Sequence, residues 1–494
     1  MNAQAPRPSS LPTIAILGAG ISGLCLGIRL KRAGIHSFTI YEKSDCVGGT
    51  WLDNSYPGAC CDVPSHLYSF SFEPNPDWSR KFSPQAEIQQ YLEGCARKYG
   101  LYEHIRFGTE ITGASFDEES GEWHLRTGSG EAIRARVFVA ATGQLNRPHV
   151  PDLPGLGDFA GERWHSARWD HAHDLSGESV GVIGNGASAI QFIPPVQRKA
   201  RKLTIFQRSA NYVAARNDRA YTESEKWRYR HVPGLLKLRR WAIYGLFELN
   251  FLTFVRDTWF GRKMKERAMQ YLDQVVKDPK LRATLTPDYP IGCKRILISD
   301  DLYQALIEPN VEIVTSPIER VTREGVATKD GRLHRLDTLI FATGFETTSF
   351  LAPMTIEGRG GRKLEDVWRD GAEAHLGIAV SGFPNLFLMY GPNTNLGHNS
   401  IIFMIECQAG YILRTIEQMV ARGAAWVDVR KSVQDAYNAR VQRDLERTAW
   451  TAGCASWYKT ASGKVTNNWS GFTLDYWWRT RRPRLDDFEL RARG

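Results

Sequence analysis

Two glycine turns of the same spacing, each set between a β-like run and a helix-like run, restrict this chain more than any other feature of it. The first is Gly18-Ala19-Gly20-Ile21-Ser22-Gly23. It follows Thr13 to Leu17 and opens the apolar-periodic stretch Leu24 to Leu30, and after a second β-like run, Phe38 to Tyr41, stands Glu42. The second is Gly184-Asn185-Gly186-Ala187-Ser188-Ala189, after Val180 to Ile183. Beyond its next β-like run, Leu203 to Phe206, stands Gln207-Arg208 in place of an acid. In both, glycine permits a tight turn and lets backbone N–H groups approach a pyrophosphate at a helix N-terminus. An acid that closes the next strand accepts hydrogen bonds from an unmodified ribose, whereas an arginine there pairs with a 2′-phosphate. The first unit is therefore read as a site for FAD or NAD, and the second as a site for NADPH.

Each unit is completed much later by an apolar strand ending in Ala-Thr-Gly, at Val137 to Gly143 and at Leu339 to Gly344. The second unit is thus nested within the first, and prolines at 148, 151 and 154 mark the crossing between them. The expected fold is α/β, with two Rossmann-like, three-layer dinucleotide-binding domains. The first domain spans 1–148 and 373–494, and the NADPH domain inserted in it spans 149–220 and 290–372. A helical insert over 221–289 is expected because Tyr221 to Lys280 lacks turn signals after Gly234 and is rich in Arg, Leu and aromatic residues. Its centre, Trp241 to Val255, is apolar and flanked by Lys237, Arg239, Arg240, Arg256, Arg262 and Lys263. Two readings stand side by side: a core helix over the substrate cavity, or an amphipathic helix on a membrane surface. Its length favours the first.

At 494 residues the chain can build two or three substantial cores. It contains no run of eighteen apolar residues, so no spanning helix is expected. Met1 to Leu11 reads as a short disordered lead rather than a signal peptide. The eight cysteines (25, 46, 60, 61, 95, 293, 407 and 454) form no CxxC pair, and they are read as free thiols in a reducing cytoplasm. Cys60-Cys61 is read as packing beside a cofactor. The net charge of +9 is compatible with nucleic-acid binding, but no nucleic-acid module is recognisable and two phosphate-rich cofactors already occupy basic residues. His165, His171 and His173 lack the cysteine or carboxylate set of a known metal site, so no metal is expected.

Two further segments carry chemistry. Gly48-Gly49-Thr50-Trp51-Leu52-Asp53-Asn54-Ser55-Tyr56-Pro57-Gly58-Ala59-Cys60-Cys61-Asp62 follows Glu42, and Phe159-Ala160-Gly161-Glu162-Arg163-Trp164-His165-Ser166-Ala167-Arg168-Trp169-Asp170 precedes the second glycine turn. Both resemble the two fingerprints of type I Baeyer–Villiger monooxygenases, within the class B flavoprotein monooxygenases. Related flavin-containing monooxygenases share the second segment without the terminal Trp-Asp that is present here as Trp169-Asp170. The resemblance covers nearly the whole chain, apart from the insert and the last residues.

The resemblance implies FAD and NADPH as cofactors, and insertion of one oxygen of O2 beside a ketone carbonyl by way of a peroxide carried on the flavin. It implies Asp62 and Arg295 as the catalytic pair, Lys294 as a selector of the NADPH 2′-phosphate beside Arg208, His165 as the residue coupling domain movement to catalysis, and Trp457 as an NADP contact. The sequence after Trp457 departs from the family's glycine-rich pattern. Gly18, Gly20, Ser22, Gly23, Glu42, Thr50, Trp51, Asp62, Tyr68, Gly184, Gly186, Ala187, Ser188 and Gln191 complete the expected cofactor contacts.

Chemistry supports the same pair independently. A deprotonated peroxide that attacks a carbonyl needs a fixed cation, and arginine is always protonated at working pH. A buried arginine needs a counter-charge, which Asp62 could supply, and the adduct is again anionic. One rival, an oxidiser of amines or sulfides, would not need Arg295. A second, a disulfide oxidoreductase, needs a redox cysteine pair that Cys60-Cys61 does not provide. A non-enzymatic scaffold would need these positions to be degenerate.

Overall fold

The structure, a computed structural model, describes residues 11–453 and 456–492. Ten strands make two parallel sheets: β1 (Ile14–Leu17), β2 (Phe38–Tyr41), β3 (Ile105–Arg106), β4 (Val137–Ala140), β5 (Glu162–His165), β6 (Ser179–Ile183), β7 (Lys202–Phe206), β8 (Val311–Val314), β9 (Thr338–Phe341) and β10 (Leu386–Leu388). The first sheet runs β10-β4-β1-β2-β3, and the second β8-β7-β6-β9-β5. Strand order reverses beside β1 in one sheet and beside β6 in the other. The two glycine turns therefore lie at the carboxyl ends of the strands where ligands bind in such sheets. Strands β1 and β4 are buried throughout, as expected of parallel strands covered on both faces.

Helix α1 (Ile21–Arg32) leaves the first turn and α2 (Ala189–Gln197) the second. Gly18 sits at φ +95°, and a Cβ there would lie 2.8 Å from the carbonyl oxygen of Ala141, so a side chain is excluded both by space and by backbone conformation. The two Ala-Thr-Gly strands lie where the nesting predicts: β4 pairs with β1, and β9 pairs with β6.

The two chain crossings between the domains run together. Pro148 bridges Phe345, His149 N–H donates to the Gly344 carbonyl at 2.9 Å, and Glu346 N–H donates to that of Arg147 at 2.9 Å. The return comes earlier than residue 373. Thr355–Glu357 already pairs with Ile111–Asp117 of the first domain. That boundary was hidden because the strand is only three residues long and carries no periodic signal.

The insert is helical: α3 (Glu223–His231), α4 (Leu235–Leu249), α5 (Trp259–Val275) and a short last helix, Pro279–Thr284. It serves both domains. Ile243, Tyr244, Phe251 and Phe254 join the core around β1, whereas Leu272 and Val276 join that around β6. The apolar run Trp241 to Val255 is not one helix, since α4 ends at Leu249 and a 3₁₀ turn follows at Asn250–Thr253. Farther on, α6 (Ile401–Ala421) packs on α1, and α7 (Thr473–Thr480) packs on α6. No helix of the described residues is long and apolar enough to cross a membrane.

The cysteines need one correction. Cys25, Cys46, Cys60, Cys61, Cys95 and Cys407 are free, but Cys293 is disulfide-bonded. Chain spacing does not report such a bond, which requires only Cα atoms within about 7 Å in space. Cys454 and residues 1–10 of the expected lead lie outside the described residues.

Candidate active site at the domain joint

Glu42 ends β2 and is buried. One of its oxygens accepts from Ala19 N–H at 2.7 Å and the other from Ser44 N–H at 2.9 Å, which fixes the carboxylate beneath the first glycine turn. The turn has the form that a dinucleotide needs. A Cβ on Gly49 would lie 3.1 Å from the Cα of Gly20, so the two backbones close on each other without side chains between them. Gly23 is required for packing, since its Cβ would overlap the Gly18 carbonyl oxygen at 1.9 Å. No side chain caps α1, and no acid stands in its first turn, so its N–H groups and dipole remain available to an anion. Ser22 is buried in that turn. A polar cleft of about 620 Å³, lined by Lys43, Ser44, Arg106, Glu131 and Arg168, opens beside Glu42. Thr50 and Trp51 begin a one-turn helix, and the Trp51 indole N–H donates to the Tyr68 hydroxyl at 3.0 Å.

The second turn repeats the arrangement. Gly184 takes φ +102°, the space around Gly186 is open, and α2 begins without a side-chain cap or an acid in its first turn. Ala187 is exposed and Ser188 half-buried at this opening. The two positions after β7 part company. Gln207 is buried and structural: it accepts from Asn185 Nδ2 at 3.0 Å and donates to the Thr284 carbonyl at 3.0 Å. Arg208 is exposed, and Lys294 stands near it, donating to Ser209 Oγ at 2.7 Å and lying 4.5 Å from the Tyr289 ring centre. Burial, and then the charge of Arg208, hold the Lys294 ammonium below the usual lysine range. Two cations set together in this way fit a 2′-phosphate.

Asp62 and Arg295 meet, although they come from different domains. Arg295 donates to the Asp62 carboxylate, and the two side chains are 30% and 34% exposed, so the pair faces open space on one side. The charge of Asp62 raises Arg295 above the ordinary arginine range, so it is a permanent cation. Tyr390 and Tyr458 flank it, and burial keeps both phenols protonated, Tyr458 being pushed up to about 12. A row of buried rings runs outward from this point: Tyr458, Trp450 at 6.4 Å, then Phe254 of the insert at 5.4 Å. The insert thus reaches the site through packing.

The two motif segments also meet each other. Arg168 pairs with Asp53 at 3.2 Å, and His171 Nε2 lies 2.9 Å from Ser55 Oγ. Gln191, expected as a cofactor contact, bonds across the domain joint. Its carboxamide oxygen accepts from the Tyr56 hydroxyl at 3.0 Å and from Cys60 N–H at 3.3 Å, and its Nε2 donates to the Cys60 carbonyl at 3.1 Å. Cys60 Sγ lies 2.8 Å from an Arg216 guanidinium nitrogen, and Cys61 is buried in the core. His165 ends β5, accepts from Ala167 N–H at 3.1 Å, and packs on Phe345 at the crossing between domains. Burial lowers it to about 4, so it is neutral. Trp457 is partly exposed and accepts from Thr347 Oγ1 at 2.9 Å through its carbonyl. His173 is held by Glu178 at 2.9 Å, and among the described residues no cluster of His, Cys, Asp or Glu could hold a metal.

Sequence reading missed Tyr390, Tyr458 and Arg216. Tyr390 takes a left-handed backbone, φ +59°, in a loop where Asn393 does the same at +55°. Non-glycine residues in that region gather at functional sites, but the sequence offers no sign of it beyond the adjacent Gly391-Pro392.

Comparison with known proteins agrees with this geometry. Residues 12–357 match the model of the flavin-binding monooxygenase-like family. A Baeyer–Villiger monooxygenase of Streptomyces coelicolor is 44% identical over 479 residues, covering 97% of this chain and 92% of that protein. The structure of a cyclohexanone monooxygenase from Rhodococcus sp. Phi1 bound to NADP+ superposes with a TM-score of 0.88 at 27% identity, covering 98% of this chain and 99% of that one. That of OTEMO in complex with FAD and NADP gives 0.87 at 26% identity, covering 98% and 100%.

Proposed function

The chain belongs to the flavin-binding monooxygenase-like family, and from that premise we propose that it is an FAD-dependent Baeyer–Villiger monooxygenase that consumes NADPH and O2 and converts ketones to esters or lactones. The observation that carries this reading is the Arg295–Asp62 ion pair at the joint of the two nucleotide domains. When bound, the flavin takes hydride from NADPH and supplies the activated oxygen; the polypeptide supplies binding, charge and shelter.

The first glycine turn and Glu42 would hold FAD, together with Ser22, Thr50, Trp51 and Tyr68. The second turn, with Ala187 and Ser188, would hold the NADPH pyrophosphate, with Arg208 and Lys294 on its 2′-phosphate and Trp457 beside it. Oxygen insertion next to a carbonyl develops negative charge on oxygen, and a preorganised cation stabilises such charge without reorganising during the reaction. Arg295 is that cation. Asp62 aims it and offsets the cost of holding it half-buried. Tyr390 and Tyr458 keep their protons and close the sides of the guanidinium. His165 and Gln191 transmit the position of the NADPH domain to this site.

Ketone identity is tested by following NADPH consumption under oxygen with cyclic, linear, aryl and steroid ketones, beside an amine and a sulfide, with products identified. Ester or lactone from a ketone is expected. Oxygenation of the amine or sulfide alone would replace this reading with the nitrogen- and sulfur-oxidising one.

A further inference from the structure

Helix α4 has two unlike faces. Ile243, Tyr244 and Glu248 are buried, yet Leu238, Trp241, Leu246 and Leu249 are between 51% and 66% exposed. Those four recur at helical spacing, so they form one stripe about 16 Å long. Helix α7 lies alongside. Thr473 Oγ1 is 2.8 Å from the Tyr244 hydroxyl and 2.7 Å from Glu248 Oε2, and Leu474 N–H donates to Glu248 Oε1 at 3.1 Å. Leu474, Trp477 and Trp478 are in turn 43–59% exposed. Single exposed apolar residues are ordinary, whereas two adjacent stripes rich in tryptophan are not.

The charges beside these stripes have one sign. Lys237, Arg239, Arg481 and Arg482 make no salt bridge within the described residues, and Arg481 stacks 3.4 Å above the Trp478 ring centre. The carboxylates of the two helices are already occupied, Asp475 by Arg479 at 2.8 Å and Glu248 beneath Thr473. We infer that α4 and α7 together form a docking face for an anionic phospholipid surface, lying in its plane without crossing it. Tryptophan is favoured at the headgroup level, long basic side chains keep their heads in the charged layer while their stems stay apolar, and a helix of this kind lies in the interface plane. A second copy of the chain fits worse, because a two-fold contact through this face would set the basic rim against itself. The face combines α4 of the insert with α7 over the FAD-domain core, so a membrane-dissolved ketone would meet the protein on the side where the insert reaches the catalytic pair.

The test is flotation of the FAD-loaded full chain with phosphatidylcholine vesicles, with and without phosphatidylglycerol, at low and high salt. Partition at least ten-fold stronger onto the anionic vesicles is expected, falling with salt and accompanied by a blue shift of tryptophan emission. Trp241→Ser with Trp477→Ser and Trp478→Ser is expected to abolish the shift, and Lys237→Glu with Arg482→Glu to abolish the preference for phosphatidylglycerol, both leaving NADPH turnover in solution unchanged. Equal partition onto neutral and anionic vesicles, or none onto either, overturns the inference. A concentration-dependent dimer that the tryptophan variant dissolves assigns the face to a second copy and overturns it as well.

Discussion

Arg295 and Asp62 stand 233 positions apart in the chain, on opposite sides of a double crossing, and form one ion pair at the domain joint. Neither domain holds the pair alone. Its geometry depends on how the NADPH domain seats on the FAD domain, and Gln191, the Arg168–Asp53 pair and His165 all act at that seat. On the proposed function, catalytic charge and domain position would be coupled in the same few residues.

NADPH is expected to be used at least ten-fold better than NADH, because the reduced cofactor without its 2′-phosphate leaves Arg208 and Lys294 without an anion. A charge-assisted hydrogen bond contributes about 1.5–3 kcal/mol. Arg208→Ala is expected to raise KM for NADPH ten-fold or more and that for NADH little. Steady-state kinetics with both cofactors checks this, and equal use of the two by the wild type counts against the assignment.

Lys294 gives the same site a pH dependence. Its ammonium is held low by burial and by Arg208, so raising the pH neutralises it earlier than an ordinary lysine, whose pKa is about 10.4. Affinity for the phosphate is present below that transition and is lost above it. The kcat/KM for NADPH, which reports the free enzyme, is therefore expected to fall on the alkaline side, and Lys294→Arg to flatten the decline. An unchanged profile in Lys294→Arg removes Lys294 from the phosphate site.

Gln191 makes three hydrogen bonds across the domain joint. Gln191→Leu leaves Tyr56 and the Cys60 backbone without these partners, at a cost of about 1–3 kcal/mol. Thermal melting is expected to shift down accordingly, and hydrogen peroxide released per NADPH to rise, because a loosened joint admits water. Lower stability with tight coupling would confine Gln191 to a structural role.

Five histidines among the described residues are buried and held low, each first by burial: His66, His165 and His375 to about 4, His398 to about 3, and His334 below the usual range. The unfolded chain takes up their protons near pH 6.5, and the folded chain only near the lowered values. Stability is therefore full above about pH 6.5 and falls as pH drops toward 4, by roughly 1.4 kcal/mol per pH unit for each histidine. Urea midpoints between pH 7.5 and 4.5 check this, and a flat profile would show that these rings are solvated.

Much of the fold was legible because a dinucleotide turn is a local pattern: strand, glycines, helix and a terminal residue within about thirty positions. Glu42 against Arg208 distinguished the two units, and the Ala-Thr-Gly strands revealed the nesting. What escaped was whatever depends on distant pairing. Thr355–Glu357 returns to the first domain without a periodic signal, Cys293 is bonded despite its isolated place in the chain, and Gln191 bonds Cys60 across 131 positions. In the insert, apolarity left a core helix and a surface helix both open, and α4 buries Ile243 and Tyr244 while Trp241 and Leu246 face outward. Composition records that a helix carries an apolar stripe, not what the stripe faces.

The central claim is that Arg295 supplies the cation for oxygen insertion, and Arg295→Ala tests it most directly. The variant keeps both glycine turns, so it is expected to bind FAD and NADPH and still to consume NADPH under oxygen. Losing one preorganised group of this kind costs about 3–4 kcal/mol, or 10²–10³-fold. The measurement is ester formed and hydrogen peroxide released per NADPH oxidised, with wild type, Arg295→Ala and Asp62→Ala on one ketone. Ester yield is expected to vanish in Arg295→Ala with peroxide rising to match NADPH, and to fall less far in Asp62→Ala. Ester formation by Arg295→Ala near the wild-type rate would contradict the account.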